Sequence, residues 1–301
     1  MLRIPIKVNP LFSLPALLIV GVDGQLGYEV EALAREQGFD VTALDSDQLD
    51  ILDSTAVAEA LAKYQPLFLV NAAAELNTQE QTLAAYAANT RGAAILAESC
   101  RAAGCALVHI SCAEVFQGDR IEVFAEDDEP APQTLYAKSK LRGEELVRAA
   151  LSRHIILRTG WLFSARGDSY VRSLLEQARQ QQEVFVADGL VGDPTPVADL
   201  ARVILAMIKQ LDSGAECWGT YHYSAAESIS WFGFAESIIA AARQYADIPL
   251  ERLLAVPQAE LEVRQRPQNS RLDCDKILSA FGIHQRAWRP GLMQVVRSYY
   301  S

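Results

Sequence analysis

Basic residues are scarce in this chain, and the shortage narrows the partners it can have. Across 301 residues, 27 Lys and Arg stand against 38 Asp and Glu, a formal net charge of −11, and no positive run offsets it. Nucleic acid and anionic membrane are poor partners for such a surface. Cysteine and histidine are sparse as well. The five cysteines (Cys100, Cys105, Cys112, Cys217, Cys274) contain no CxxC pair. No metal site is expected, and an odd set of free thiols fits a reducing cytoplasm rather than a disulfide scaffold. Nothing approaches the roughly eighteen apolar residues that a membrane span requires. Internal repeats and low-complexity tracts are also missing.

At the N-terminus, Arg3 and Lys7 precede the apolar stretch LFSLPALLIVG and together imitate a secretory signal. Pro15 interrupts the stretch, no small-x-small cleavage site follows, and the apolar residues pass straight into a glycine-rich turn. Residues 1–15 therefore read as a loose leader ahead of a first buried strand.

What is present is a regular alternation. ALLIVG is followed by VEALAREQG, DVTALD by STAVAEALAKY, and LFLVNAA by TLAAYAANTRGAAILAESCRAAG. The pattern predicts an α/β chain with a parallel sheet covered by helices on both faces. ALVHIS, an acid- and proline-rich loop, the helix TLYAKSKLRGEELVRAAL and the strand HIILRTG continue it. Beyond Trp161 the regularity loosens, with a helix near YVRSLLEQARQQQ, a strand EVFVAD and a helix starting near Pro196.

The turn GVDGQLG closes the first strand and opens the first helix. Gly21, Gly24 and Gly27, with Gln25 and Leu26 between them, let a backbone approach a pyrophosphate on the helix N-terminus. A bare glycine triplet also occurs in turns that bind nothing. Here a strand precedes it, a helix follows, and Asp45 ends the second strand eighteen residues past Gly27, where a carboxylate accepts from an adenosine ribose. Asp50 and Ile51 complete that side, and the small residues Ala72 and Ala73 let a cofactor lie close to the third strand. Asp23 is a blemish, since its charge repels phosphates unless it points away. Ser46 follows Asp45 where an arginine would accept a 2′-phosphate, so NAD(H) is favoured over NADP(H).

Tyr136 and Lys140 are four apart on a predicted helix and share a face. An ammonium beside a phenol lowers its pKa from about 10 and makes it a usable proton donor near neutrality. Alone, YxxxK is a common accident; after the fourth strand of a dinucleotide fold it reads as catalytic.

With these motifs the chain resembles the extended short-chain dehydrogenases/reductases and, more narrowly, the dTDP-4-dehydrorhamnose reductase family. GVDGQLG, YAKSKLRGEE, RTGWLF, GDSYVRSLL, VADGLVGDPTPVADLA, GTYHYSAAESISWFGFA and RPQNSRLDCDKILSAFG carry the likeness in order. It implies a doubly wound parallel sheet (Rossmann) over 16–165 and about 188–212. A smaller, discontinuous α/β substrate lobe would span about 166–187 and 213–301.

The resemblance also implies a cytoplasmic NAD(P)H-dependent reductase of a 4-keto deoxy sugar nucleotide, for which a homodimer is an open arrangement. Tyr136 and Lys140 would be catalytic and hold the nicotinamide end; Trp161, Arg264 and Arg266 would contact substrate. In this family the strand before that helix ends in a serine and a threonine followed by an acid and an aromatic, and the threonine joins the tyrosine and lysine at the substrate carbonyl. Here Ser111, Cys112, Ala113 and Glu114 stand at those four positions. A thiol is a weak donor, so Cys112 would impair the enzyme or only pack the sheet end. Ser111 cannot substitute, because strand neighbours point to opposite faces. The altered stretch leaves open a non-catalytic regulatory protein resembling the methionine adenosyltransferase beta subunit. An epimerase or dehydratase is a third reading, and for a dehydratase Ala113 lacks the expected acid.

Overall fold

Apolar runs and helical stretches alternate along the chain because each strand needs a helix on either side of it to keep water from both faces. The computed structural model describes residues 14–301 apart from 75–82, 168, 262 and 264. β1 (Ala16–Val20) leads to α1 (Gln25–Glu36), β2 (Asp40–Leu44) to α2 (Ser54–Tyr64), and β3 (Phe68–Asn71) to α3 (Leu83–Ala87) and α4 (Ala93–Ala103). β4 (Ala106–Cys112) precedes α5 (Leu135–Ala150) and β5 (His154–Thr159). Then come β6 (Leu162–Phe163), α6 (Tyr170–Ala178), β7 (Glu183–Asp188), β8 (Val191–Gly192), β9 (Thr195–Pro196) and α7 (Val197–Asp212). The remainder holds β10 (Gly219–His222), β11 (Ile229–Ser230), α8 (Trp231–Ala242), β12 (Arg252–Pro257), α9 (Asp275–Phe281) and α10 (Arg289–Tyr300).

The main sheet has the order β10-β5-β4-β3-β1-β2, every pair parallel. β4 is buried at all of its positions, which is why ALVHISC reads as a nearly continuous apolar run. On one face Ile19, Val70, Val108 and Ile110 pack with Val30 of α1 and Leu200 and Ile204 of α7. On the other, Leu18, Leu69 and Leu107 meet Val57 of α2 and Leu96 of α4. Each such aliphatic side chain contributes about 1.5–3 kcal/mol on burial. Strand order reverses between β1 and β3, and the crevice at their C-terminal ends is where such a sheet binds ligands.

The second unit is built on the parallel pair β7–β12. Its core is aromatic: Trp161 meets Trp231 edge-on at 4.6 Å, and Phe234 meets Trp288 at 5.5 Å. Among the described residues no helix is long and apolar enough to cross a membrane.

Two expectations are corrected. The lobe does not take all of 213–301, because β10 pairs with β5 as the edge of the main sheet and α9 brings Ile277 and Phe281 into that sheet's core. A strand of four residues is too short to show a period. The helix expected across 82–104 is also interrupted, by a π turn at Ala88–Gly92. There Thr90 Oγ1 donates back to the carbonyl of Tyr86 at 2.7 Å, and a Cβ on Gly92 would lie 2.7 Å from Ile51 Cδ1. The expected leader lies outside the described residues, apart from Leu14 and Pro15.

Candidate active site

The glycine turn is where the backbone is pulled closest. Gly21 has φ +80°, and a Cβ there would sit 2.5 Å from the Ala73 amide nitrogen; one on Gly27 would sit 2.1 Å from the Gly21 carbonyl oxygen. Both glycines are thus required by space. Gly24 is the N-cap of α1 and brings no side chain to cap it, leaving first-turn amides for an anion at the helix's positive end. A cavity of about 280 Å³ opens here, lined by Gly21, Gly24, Asp50, Ile51, Ala72 and Ala73. A dinucleotide's adenosine and pyrophosphate fit these residues: small groups on the sheet side, a helix N-terminus without a side-chain cap at the other.

Asp23 and Ser46 also line this cavity, and the Ser46 hydroxyl donates to Asp23 Oδ2 at 3.1 Å. Asp45 does not belong to the lining. Its Oδ1 accepts from the amides of Asp47 and Gln48 at 3.1 and 2.9 Å, which ties the carboxylate into the turn after β2.

A second cavity, of about 270 Å³, shares Gly24 and Ala72 with the first and brings together Cys112, Tyr136, Lys140 and Thr159. Gln25 and Leu26 line it too, and Gln25 Oε1 accepts from Ser164 at 2.8 Å. Tyr136 and Lys140 lie in the first turns of α5, whose N-cap Thr134 accepts from the Ala137 amide. Lys140 is 2% exposed, and its Nζ donates to the Ile110 carbonyl at 2.7 Å, which fixes it at the end of β4. Burial pulls its pKa below the usual lysine value, with Cys112 and Glu144 partly opposing.

One position back along the strands, the polar groups face the other way. Ser111 Oγ donates to Glu144 at 2.6 Å, and Arg158 donates to the same carboxylate from Nε at 2.9 Å and Nη2 at 2.7 Å. Burial alone would raise Glu144, yet the hydrogen bonds and charge of Arg158 outweigh it and hold the carboxyl below its usual range. Ser111 is therefore engaged with α5.

Trp161 closes the cavity on the lobe side with φ +46°, a left-handed backbone that a bulky residue adopts only under restraint. Its carbonyl accepts from the Thr195 amide at 3.0 Å and its ring packs on Trp231, on which Tyr170 packs at 4.2 Å. Arg266 stands over the Trp231 ring at 4.9 Å and donates to Glu114 Oε1 at 3.2 Å. Arg266, Tyr170 and Trp231 also line a third cavity, of about 670 Å³, between α6 and β7. Arg264, the other expected substrate contact, lies outside the described residues. Thr159, Tyr170 and Trp231 were not legible as site residues in the sequence. The only signal for them was their place in the stretches RTGWLF, GDSYVRSLL and ISWFGFA.

A family described as RmlD substrate binding domain matches residues 15–301. The chain is 32% identical over 291 residues to a dTDP-4-dehydrorhamnose reductase of Aggregatibacter actinomycetemcomitans, covering 94% of this chain and 98% of that one. The crystal structure of dTDP-4-dehydrorhamnose reductase from Bacillus anthracis in complex with NADP is similar at TM-score 0.86 and 30% identity, over 94% of this chain and 98% of that one. The Bordetella bronchiseptica enzyme WbmH, solved with NAD+, shares the fold at TM-score 0.80 and 17% identity, over 95% and 98%.

Proposed function

This chain belongs to the dTDP-4-dehydrorhamnose reductase family of NAD(P)-dependent oxidoreductases, and we propose that it reduces the 4-keto carbon of a dTDP-deoxyhexose or a closely similar sugar nucleotide. The observation that carries the proposal is the buried pair Tyr136 and Lys140 in a cavity continuous with the glycine turn. Bound NAD(P)H supplies the hydride. As the carbon accepts it, the carbonyl electron pair moves to oxygen, and Tyr136 gives its hydroxyl proton to that oxygen. Lys140, anchored on Ile110, stabilises the phenolate left behind. Solvent returns the proton to Tyr136.

The sugar end would lie between Tyr136 and Trp161, with Arg266 toward the diphosphate and the 670 Å³ cavity taking the nucleoside. NADH is the preferred cofactor in this reading. Asp23 and Asp50 stand in the wall of the adenosine-side cavity, with no lysine or arginine among its described lining residues, so a 2′-phosphate would meet only negative charge. The Bacillus anthracis relative was solved with NADP, so this preference rests on the two carboxylates of this chain. Retention of Tyr136 and Lys140 supports the reductase over a non-catalytic regulatory role.

The test is to incubate purified protein with NADH, and separately NADPH, and a set of 4-keto sugar nucleotides while following the absorbance of the reduced cofactor. Oxidation with a dTDP-4-keto sugar, faster at low NADH than at equal NADPH, is expected. No oxidation with any substrate would end the reductase reading; equal use of both cofactors would end only the NADH preference.

A further inference from the structure

β4 and β5 run parallel and in register, with Cys112 opposite Thr159. Neighbouring parallel strands lie roughly 4.8 Å apart, and residues paired across them point to the same face. The preceding pair, Ser111 and Arg158, is committed to Glu144 on α5. The next pair consequently points to the other face of the sheet, and both Cys112 and Thr159 line the cavity that holds Tyr136 and Lys140.

Thr159 is 3% exposed, and its Oγ1 has no hydrogen-bond partner among the described residues. Buried hydroxyls are nearly always paired, because losing water without gaining a partner is costly. Hydroxyl and methyl of a threonine share one Cβ, so a χ1 rotation exchanges them, and here that rotation breaks no hydrogen bond. A ketone receiving hydride gathers charge on oxygen and needs a donor besides Tyr136, and there the end of β4 turns the Cys112 thiol, a weak donor, to the cavity.

We infer that Thr159 is a catalytic residue: its hydroxyl donates to the reacting carbonyl oxygen beside Tyr136, in the role that Cys112 fills poorly. The inference rests on the reductase reading. The two backbones are one strand spacing apart, so an oxygen lodged between the Cys112 and Thr159 side chains meets a hydroxyl turned toward it. No covalent step is added; the donor holds charge that Tyr136 then neutralises with its proton.

The test is single-turnover reduction of the 4-keto substrate by wild type, Thr159→Val, Thr159→Ser, Cys112→Thr and the double variant Cys112→Thr with Thr159→Val. Thermal unfolding is measured on each. Thr159→Val is expected to slow hydride transfer roughly 10- to 100-fold, toward the range seen when one oxyanion donor is removed. Substrate affinity should change little, and Thr159→Ser should stay within a few-fold of wild type. In the Cys112→Thr background the same valine change should cost less than about threefold, because a hydroxyl at 112 takes over. The unfolding midpoint of Thr159→Val should hold or rise, since valine removes an unpaired buried oxygen. Unchanged turnover, an equal loss in both backgrounds, or a fall in midpoint that tracks the lost turnover would each overturn the inference. A wild type that oxidises no cofactor removes the reductase reading, and this inference with it, before any variant is compared.

Discussion

At the ends of β4 and β5, two neighbouring pairs of residues meet opposite fates. Ser111 and Arg158 face α5, and each hydrogen-bonds the Glu144 carboxylate, which also accepts from Arg148 at 3.1 Å. Cys112 and Thr159 face the cavity, and the threonine hydroxyl is left unpaired among the described residues. One residue of chain separates the two sides, because strand neighbours alternate faces. The helix-facing side is closed by protein groups and acts as a rivet between β4, β5 and α5. The cavity-facing side keeps hydrogen-bonding capacity in reserve, which is what a site needs when its charge appears only during reaction.

The largest effect should come from the cavity side. Tyr136→Phe is expected to lower turnover by roughly 10² to 10⁴, the usual loss for a general acid, with NADH affinity nearly unchanged. Stopped-flow turnover and a cofactor titration check both halves. Retained turnover would remove Tyr136 from the chemistry and collapse the contrast between the two sides.

On the riveted side the effect should appear in stability. Glu144→Gln leaves Arg158, whose side chain is 3% exposed, without its counter-charge. Breaking one partner of a buried pair costs about 3–5 kcal/mol. Urea unfolding of the variant should show a midpoint lowered to match; a midpoint within experimental scatter of wild type would mean the rivet is ornamental.

A smaller and graded effect should follow acidification. His222 adjoins the rivet: its Nδ1 lies 3.1 Å from the Phe124 carbonyl and its Nε2 3.4 Å from Arg158 Nη1. Burial, then the Arg158 charge, pulls its pKa down to about 3. The folded form therefore binds a proton more weakly than the unfolded chain, whose histidine titrates near 6.5. Stability from His222 is complete above about pH 6.5 and is lost as pH falls toward the folded value. Glu144, also depressed, adds to the loss only below the ordinary carboxylate range, about 4.3. Unfolding midpoints measured from pH 7 to 4 should decline, and His222→Asn should flatten the upper part of that decline. A pH-independent midpoint over this range contradicts the assignment.

Much of this arrangement was legible beforehand. The apolar runs marked β1, β3, β4 and β5 because each is buried on both faces, and Gly21 and Gly27 were readable because turns that tight exclude a Cβ. Tyr136 and Lys140 followed from helical spacing. Asp45 shows where such reading stops: its place after β2 was evident, but the turn amides that take its Oδ1 were not. Arg266 was visible as a charge, whereas its partner Glu114 lies 152 residues earlier.

The order of residues alone thus determined the local features: which segments are strands or helices, where the chain must turn on glycine, and which phenol has a lysine one helical turn away. Each depends on neighbours within a few positions and so is written in a short window. Only the tertiary structure decided that four residues near 220 complete the main sheet, that Ser111 is spent on Glu144, and that Thr159 stands beside Cys112. Those facts depend on strand order and register, set by the packing of elements far apart in the chain, and no short window contains them.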